Sequence, residues 1–369
     1  MLDPFCEKLA QLVINYSIKL KEGNRIVILG PALAKDLFLA LQVEILKAGG
    51  HSLSIPQLEG EDELFFKYAS DNQLVYFDDI FVALAKEFDG VIMIFSDYNT
   101  KKLSLVDPKK IGKMQLAAKR VEMFKIFSER EAKGEIKWVI IPYPCQSHAQ
   151  DANMDYYSYS SFVEKALFLD KADPVHEWNQ LDKEQNRIID LLNTSNNIHV
   201  LGEDTDLTLS VERRIWENAN GQHNLPDGEV FTGPIENSVN GHIRFTYPGI
   251  YQGREVENIY LEFKDGKVVN ATADRGEDLL KEILKIRNAN KLGEFAIGTN
   301  YGITQFTKNM LFDEKIGGTI HCALGRGFAK TGSKNFSTIH WDILKDMKLS
   351  GSKIIADEKV IYEEGKWKI

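Results

Sequence analysis

The chain from its N-terminus to Pro142 alternates short apolar runs with amphipathic stretches, and this alternation constrains the fold more than any other feature. Residues 25–30, 52–58, 91–95 and 138–142 have the composition of strands. Helical apolar spacing is found at residues 5–20, 32–48, 79–88 and 108–127. Apolar strands that alternate with helices predict a mostly parallel sheet covered on both faces, so the fold class is α/β.

The pattern changes after Asn196-Asn197. Alternating apolar and polar residues predict strands at 198–202, 207–210, 241–246 and 259–263. A predicted helix at 277–287 interrupts the strands, and residues 353–356 and 360–362 form a further hairpin-like pair. Asp265-Gly266 predicts a tight primed turn between two further strands. We therefore predict an N-terminal α/β domain with bridging helices at 1–195, and a mixed α+β, largely antiparallel domain at 196–369.

Charge and composition exclude several function classes. The formal net charge is −9 and the pI is near 5.5, so no basic field favours nucleic acid or an anionic membrane. No apolar run approaches transmembrane length, and the first residues lack the pattern of a signal peptide. The cysteines, Cys6, Cys145 and Cys322, are not in CxxC spacing, which argues against a disulfide framework or a thiolate zinc site. A cytoplasmic protein is expected.

The sharpest local signal is the stretch 320–342, which contains two histidines and an aspartate. In an extended strand, His340 and Asp342 share one face while Trp341 points the other way. The apolar run before His321 and the glycine-containing sequence after it predict that this histidine ends a strand. Two histidines and a carboxylate at such positions are suitable ligands for a metal ion.

Three further acids, Glu229, Glu294 and Glu314, lie beside glycine, aromatic and apolar residues instead of in a solvated charge run. A buried carboxylate needs a partner, because burying an unpaired charge is very costly. The four carboxylates of the whole set carry four negative charges, which two divalent cations would neutralise. Oxygen and imidazole ligands suit zinc, cobalt or manganese, and paired metals are a recurring hydrolytic device. Scattered acids and histidines are also abundant in proteins without metals, so the residues alone leave both interpretations open.

Several strings in this order resemble the aminopeptidase T family of metallopeptidases, peptidase family M29, over nearly the whole chain. They are Gly228-Glu229-Val230-Phe231-Thr232, Leu292-Gly293-Glu294, Leu311-Phe312-Asp313-Glu314, Ile320-His321-Cys322-Ala323-Leu324-Gly325 and His340-Trp341-Asp342. The resemblance implies an N-terminal α/β domain, a C-terminal domain holding two metal ions, and a homodimer with an internal cavity. It also implies hydrolysis of N-terminal residues from short peptides.

Carried over by motif, the resemblance assigns the metal ligands as Glu229, Glu294, Glu314, His321, His340 and Asp342. Glu294 and Asp342 are the residues expected to touch both ions, and Glu229 and Glu294 are also the expected catalytic carboxylates. The spacing from Glu314 to His321 is longer here than in the family, which sets Glu314 apart from the other five residues. Its neighbour Asp313 is an alternative ligand.

One position departs from the family, which commonly has a tyrosine seven residues after the first histidine, where this chain has Phe328. A phenol there could donate a hydrogen bond to the developing oxyanion, and losing such a donor costs on the order of 100-fold in rate. Arg326 or a loop amide is an alternative donor, and Phe328 is otherwise a packing residue.

Two rival functions remain open at this point. A ring-opening non-haem iron dioxygenase would need only His321, His340 and Asp342. A catalytically degenerate homologue that binds metal or peptide without turnover is suggested by Phe328.

Overall fold

The structure, a computed structural model, describes residues 2–369. The chain forms two compact units. Unit 1 comprises Met1–Val175 and Gly221–Leu225, and unit 2 comprises His176–Asn220 and Pro226–Ile369. The domain boundary predicted after residue 195 lies beyond the long helix that opens unit 2, and that boundary remains a prediction. No helix in the described residues is long and apolar enough to cross a membrane.

Unit 1 is built on a parallel sheet. Its strands are β1 (Arg25–Pro31), β2 (His51–Gln57), β3 (Gly90–Phe95) and β4 (Lys137–Pro142), in the order β2-β1-β3-β4. All adjacent strands run parallel, and Ile28, Ile92 and Val139 are fully buried along them. The α/β fold class predicted from the alternating pattern is therefore confirmed.

The helices of unit 1 surround this sheet. They are α1 (Pro4–Leu12), α2 (Lys35–Lys47), α3 (Glu61–Tyr68), α4 (Asp71–Leu74), α5 (Asp79–Glu87), α6 (Pro108–Gln115), α7 (Ala118–Ala132), α8 (Gln146–Asp151) and α9 (Tyr156–Ala166). The Asp3 side chain begins α1 by accepting from the Cys6 amide, with proline at the first helical position.

Two predicted helices differ in detail. The helix predicted at 5–20 continues beyond α1 as a π-helical segment, Val13–Ile18, which ends where Lys19 adopts a positive φ of 50°. The helix predicted at 108–127 is two helices, α6 and α7, because Ala117 takes an extended conformation with ψ 127°. Neither glycine nor proline marks that break, so the sequence offers no local signal for it.

Unit 2 contains two large antiparallel sheets and a separate antiparallel pair of short strands. Its strands are β5 (Asn197–Gly202), β6 (Thr205–Ser210), β7 (Glu217–Ala219), β8 (Glu229–Thr232), β9 (Asn240–Arg244), β10 (Gly249–Tyr251), β11 (Arg254–Val256), β12 (Tyr260–Lys264), β13 (Lys267–Thr272), β14 (Leu292–Gly298), β15 (Thr319–Gly325), β16 (His340–Asp346), β17 (Lys353–Ala356), β18 (Lys359–Glu363) and β19 (Lys366–Trp367). Its helices are α10 (Pro174–Leu192), which starts at the end of unit 1, α11 (Glu277–Leu284) and α12 (Met310–Asp313).

The larger sheet has the order β13-β12-β9-β6-β5-β17-β18-β19, and the smaller has the order β16-β15-β14-β8-β7. The largely antiparallel C-terminal half is thus confirmed. The turn between β12 and β13 is also as predicted, since Asp265 and Gly266 both have positive φ, 50° and 77°.

The two sheets of unit 2 share one hydrophobic core. Leu209 and Leu261 from the larger sheet belong to the same buried cluster as Phe295, Cys322 and Ile343 from the smaller sheet. Cys322 is therefore a core residue, as predicted. Because side chains alternate along a strand, this packing leaves the opposite face of the smaller sheet for other residues.

Candidate metal centre

The opposite face of the smaller sheet gathers the predicted site residues from four adjacent strands. In the antiparallel register, Glu229 of β8 pairs with Gly298, and Glu294 of β14 pairs with Ala323 of β15, which in turn pairs with Asp342 of β16. Directly paired residues lie on the same face of a sheet, and residues two apart along a strand do so as well. His321 and His340 therefore share this face with the three carboxylates.

Small residues lie between the functional ones on the same face. Ala296 pairs with His321, and Ala323 lies between Glu294 and Asp342 across the strands. Both alanines are fully buried. Their methyl groups leave the carboxylates and imidazoles as the groups that fill the space above the sheet.

Backbone features fix where two of these strands place their acids. Gly228, immediately before Glu229, has a φ of 124°, and a Cβ there would lie 2.6 Å from the Cβ of Asn300. Gly293, immediately before Glu294, lies where the register of β14 and β15 shifts, and a Cβ there would lie 2.3 Å from the carbonyl oxygen of Gly325. A side chain at either glycine would displace the neighbouring glutamate.

Glu294 connects the two histidines. Its Oε1 lies 3.2 Å from His321 Nε2, and its Oε2 lies 3.6 Å from His340 Nε2. Asp342 Oδ1 is 3.3 Å from His340 Nε2 and 3.9 Å from His321 Nε2, while Glu229 Oε2 is 3.3 Å from His321 Nε2. The residues form two overlapping groups, Glu229/Glu294/His321 and Glu294/His340/Asp342, whose ligand atoms lie within 4.8 Å of one another. Glu294 belongs to both groups.

The carboxylate atoms of these groups are incompletely satisfied by the protein itself. Glu229 Oε2, Glu294 Oε2 and Asp342 Oδ1 are buried and make no hydrogen bond. Buried polar atoms nearly always have a partner, because an unpaired one is costly. Three such oxygens next to two imidazole nitrogens fit divalent cations that accept oxygen and nitrogen ligands.

The orientation of His340 also suits a metal ligand. Its Nδ1 lies 2.6 Å from the carbonyl oxygen of Arg326, and because a carbonyl only accepts, Nδ1 carries the proton. Nε2, the nitrogen that can bind a metal once it loses its proton, then faces Glu294 and Asp342. A second hydrogen bond of this kind is the usual way in which a metal-binding histidine is fixed.

The charges of the site shift its pKa values strongly. Burial raises the pKa of Glu229 to about 8, against the opposing effect of the Lys315 and His321 charges. Burial alone would lower the pKa of His321, but its hydrogen bond to Glu294 and the neighbouring carboxylate charges raise that pKa to about 9. Burial is likewise outweighed at His340, where the Asp342 carboxylate raises the pKa to about 10.

Asp342 shows the complementary shift. Burial acts to raise its pKa, but the positive charges of His340 and His321 hold it well below its usual range. Asp342 is therefore ionised throughout the neutral range, whereas its histidine partners hold protons there.

These directions predict proton release when a metal binds. At pH 7 Glu229, His321 and His340 are protonated in the metal-free protein, with pKa values of about 8, about 9 and about 10, and ligation requires all three to lose their protons. We expect as many as three protons to be released on full loading. The apparent affinity for zinc should therefore rise with pH up to about pH 10.

The measurement is calorimetric titration with zinc in buffers of different ionisation enthalpy. His199→Gln is a matched control, because that histidine is paired with Asp206 on the larger sheet and should leave the count unchanged. Zinc binding without proton release at pH 7 would contradict these protonation states.

The structure does not bring Glu314 into either group. Glu314 follows α12 and forms an ion pair with Lys315, whose side chain is 2% exposed. Burial acts to lower the pKa of Lys315, but the charges of Glu229 and Glu314 raise it well above its usual value. Asp313, the alternative to Glu314, accepts hydrogen bonds from the amide and hydroxyl of Thr307 and belongs to neither group.

One sequence prediction about His321 is wrong. It lies in the middle of β15 and not at the strand's end, because the apolar residues 322–324 continue the strand. Pairing with β16 extends to Gly325, which is opposite His340. This longer pairing is what aligns the two histidine-bearing strands.

Phe328 packs beside the site. Its ring lies 5.2 Å from the His340 ring and 5.6 Å from the Phe231 ring, both in edge-to-face arrangements. The alternative oxyanion donors are engaged elsewhere: the amide of Arg326 donates to Ile339 and that of Gly327 donates to Asn335. The Arg326 side chain is exposed.

Two residues near the site were missed by sequence reasoning. Lys315, directly after Glu314, carries no sequence signal of its burial, because adjacent opposite charges are usually solvated. Gln185 lies among buried apolar residues of α10, and its Nε2 donates to the carbonyl oxygens of Ala219 and Glu229. A polar residue at a core position of an amphipathic helix is the signal that identifies it.

Comparisons with known proteins show the family and the fold of this chain. A family model described as thermophilic metalloprotease (M29) matches residues 3–367. Aminopeptidase AmpS from Bacillus subtilis is 25% identical and covers 99% of this chain and 100% of its own length. Aminopeptidase T from Thermus aquaticus is 28% identical over 89% of this chain and 87% of its own. The solved structure of wild-type AmpT from Thermus thermophilus matches with a TM-score of 0.84 at 22% identity, over 99% of each chain, which shows the fold.

Proposed function

The chain belongs to the M29 family of thermophilic metalloproteases, and on that premise we propose that it removes N-terminal residues from short peptides with a metal centre on the smaller sheet of unit 2. The observation that carries the proposal is the set of three buried, unpartnered carboxylate oxygens that face two imidazoles. The relatives named aminopeptidases support the choice of reaction.

The proposed ligands are Glu229, Glu294, His321, His340 and Asp342. Glu294 lies between both histidines, and Asp342 approaches both as well, so these two are proposed to bridge two divalent ions. Zinc, cobalt and manganese all suit this donor set. Glu314 remains only a predicted sixth ligand, because its ion pair with Lys315 would compete with a metal ion for its carboxylate.

Divalent ions at such a centre polarise a carbonyl and lower the pKa of water. The chain's own groups do the rest. His340 is held in one orientation by the Arg326 carbonyl, and the ring of Phe328, itself packed against Phe231, covers one side of the His340 ring. Glu229 and Glu294 are the proposed catalytic carboxylates, because their unpartnered Oε2 atoms are placed to receive a proton and return it to the leaving amine.

The ring-opening dioxygenase is not favoured. A mononuclear iron site needs two histidines and one carboxylate. Here Glu229 and Glu294 accompany that set at distances of 3.2 to 3.6 Å from the imidazoles, and the family consists of metallopeptidases. The degenerate homologue lacks support too, because the ligand set retains both of these carboxylates.

We further propose that the protein works as a cytoplasmic homodimer. Its cysteine usage and the family resemblance support the location. Exposed apolar side chains in unit 1 support an interface between copies; they include Leu58, Leu64, Tyr68, Tyr76 and Leu116. Sedimentation at micromolar concentration would show a mass near twice 41.9 kDa if this holds.

Phe328→Tyr should raise kcat about 10-fold with little change in KM. A phenol beside His340 would supply part of the roughly 100-fold that a well-placed oxyanion donor contributes. Steady-state hydrolysis of an aminoacyl-anilide measures this, and Phe336→Tyr, at an exposed ring, is the control. An unchanged kcat in Phe328→Tyr would identify Phe328 as a packing residue only.

The function itself is tested by comparing one peptide with a free and an acetylated N-terminus. We expect metal-loaded protein to release the first residue of the free peptide and to leave the acetylated one intact. Internal cleavage of both peptides would overturn the aminopeptidase assignment in favour of an endopeptidase. Glu262→Ala, at an exposed position on β12, should behave as the wild type.

A further inference from the structure

Lys315 is a buried cation beside the proposed centre. Its side chain is 2% exposed, and its ammonium lies 3.5 Å from Glu229 Oε1 and forms an ion pair with Glu314. Its backbone is fixed on both sides, since its amide donates to Phe312 and its carbonyl accepts from Asn300. The main chain thus fixes the backbone of Lys315, and the two acids hold its ammonium.

The carboxylate oxygens near the site differ in whether they face this ammonium or the imidazoles. Glu229 directs Oε1 towards Lys315 and leaves Oε2, the unpartnered oxygen, 3.3 Å from His321 Nε2. Glu314 has its ion pair with the ammonium and is absent from both groups of candidate ligand atoms. Three of the four predicted carboxylate ligands therefore converge on the imidazoles, whereas the fourth, Glu314, converges on Lys315.

We propose that Lys315 is a positioning residue that keeps Glu314 as its own counter-ion, so that the negative charge of Glu314 is withheld from the metal ions. This inference rests on the proposed function. The geometry supports it: Glu229, Glu294 and Asp342 are the carboxylates that share candidate ligand groups with the two imidazoles, while the Lys315–Glu314 pair is neutral as a unit. A buried ammonium requires such a partner, because an unpaired buried charge is strongly destabilising.

The direction in which Lys315→Met changes the zinc affinity distinguishes this positioning role from a purely structural one. Lys315→Met removes the positive charge and releases Glu314, so the site becomes more negative and binds metal more tightly. We expect zinc affinity to rise about 10-fold, within the range by which partners of metal ligands alter affinity. A lysine that only filled space would, on removal, leave the affinity unchanged or lower it.

A double-mutant cycle tests the pairing with Glu314. Glu314→Gln leaves the ammonium without its main counter-ion, so zinc affinity should fall about 10-fold. Lys315→Met combined with Glu314→Gln removes a neutral pair, so the affinity should return to within about threefold of wild type. If Glu314 were a ligand independent of Lys315, Glu314→Gln would lower the affinity equally in both backgrounds.

Lys345→Met is the matched control. Lys345 is also a fully buried lysine of unit 2, but its Nζ donates to the carbonyl oxygens of Glu203 and Arg244. Its loss should reduce stability and leave zinc affinity within about twofold. Lys315→Gln replaces Lys315→Met if the methionine variant does not fold, with the same expected rise in affinity.

The readouts are zinc affinity by competition with a chromophoric chelator and the visible spectrum of the cobalt-loaded protein. Tighter binding in Lys315→Met, with a spectrum altered by an added carboxylate and restored in the double variant, supports the proposal. Unchanged or weaker binding in Lys315→Met overturns it while leaving the metal centre intact. Failure of the wild type itself to bind either metal overturns the proposed function together with this inference.

Discussion

Glu294→Ala is expected to abolish peptide hydrolysis and to weaken metal binding at least about 100-fold. Even an outer partner of a metal ligand contributes 10- to 100-fold to affinity, and Glu294 is the residue shared by both groups of candidate ligand atoms. Its two oxygens lie 3.2 and 3.6 Å from the two histidines, so its removal affects both positions at once. Metal content after dialysis and initial rates of anilide hydrolysis measure the effect.

The control for this variant is Glu262→Ala, which removes an exposed glutamate from the larger sheet of the same unit. It should retain wild-type metal content and rate. Glu294→Gln adds a near-isosteric comparison, because it keeps the volume of the side chain and loses the charge. Full activity and normal metal content in Glu294→Ala would show that the centre lies elsewhere.

Removal of the metals with a chelator is expected to abolish hydrolysis and to destabilise unit 2. Without cations, the carboxyl groups of Glu229, Glu294 and Asp342 share one buried space, and protonation of Glu229 and of the imidazoles only partly compensates for the lost positive charge. Each site contributes about 2.7 kcal/mol to the free energy of unfolding when free metal is 100 times its Kd. Thermal unfolding with and without zinc measures this difference.

The stability lost on metal removal should also depend on pH, and it should increase as the pH rises. The folded-state pKa values of His321, about 9, and His340, about 10, lie above the ordinary value of 6.5, so their contribution to the metal-free protein is complete below pH 6.5. That contribution is lost as pH rises towards 10. The gap between chelated and zinc-loaded protein should therefore widen from pH 6.5 to 9. Equal stability of the two forms across this range would contradict the assigned charges.

The N-terminal fold followed directly from the sequence, because continuous apolar strands and helical spacing report local structure. Each predicted strand of the parallel sheet is present. The predicted and observed bounds agree at some strand ends and differ by one residue at the others. The break at Ala117 escaped prediction, since alanine favours helix and only the packing of unit 1 could place it in an extended conformation.

The candidate site was predictable only in part. Alternation along one strand placed His340 and Asp342 on one face, and the structure agrees. The convergence of Glu229, Glu294 and His321 depends on the register of separate strands, which periodicity does not specify. The family resemblance supplied that information.

The buried ion pair between Glu314 and Lys315 could not be predicted from the sequence, for a different reason. Neighbours along the chain, such as Glu314 and Lys315, usually form a solvated surface pair. Only the fold shows that this lysine is enclosed and lies against Glu229 as well. A lysine at a site rich in carboxylates therefore has to be located in three dimensions before its role can be stated.

The most direct test of the account is to titrate chelator-stripped protein with zinc, cobalt and manganese while bound metal is counted and aminoacyl-anilide hydrolysis is followed. We predict that activity rises as two ions bind per chain. Two ions bound without cleavage of any substrate would contradict the proposed activity. Binding of a single iron ion, with ring-opening of an aromatic diol, would contradict the hydrolytic assignment altogether.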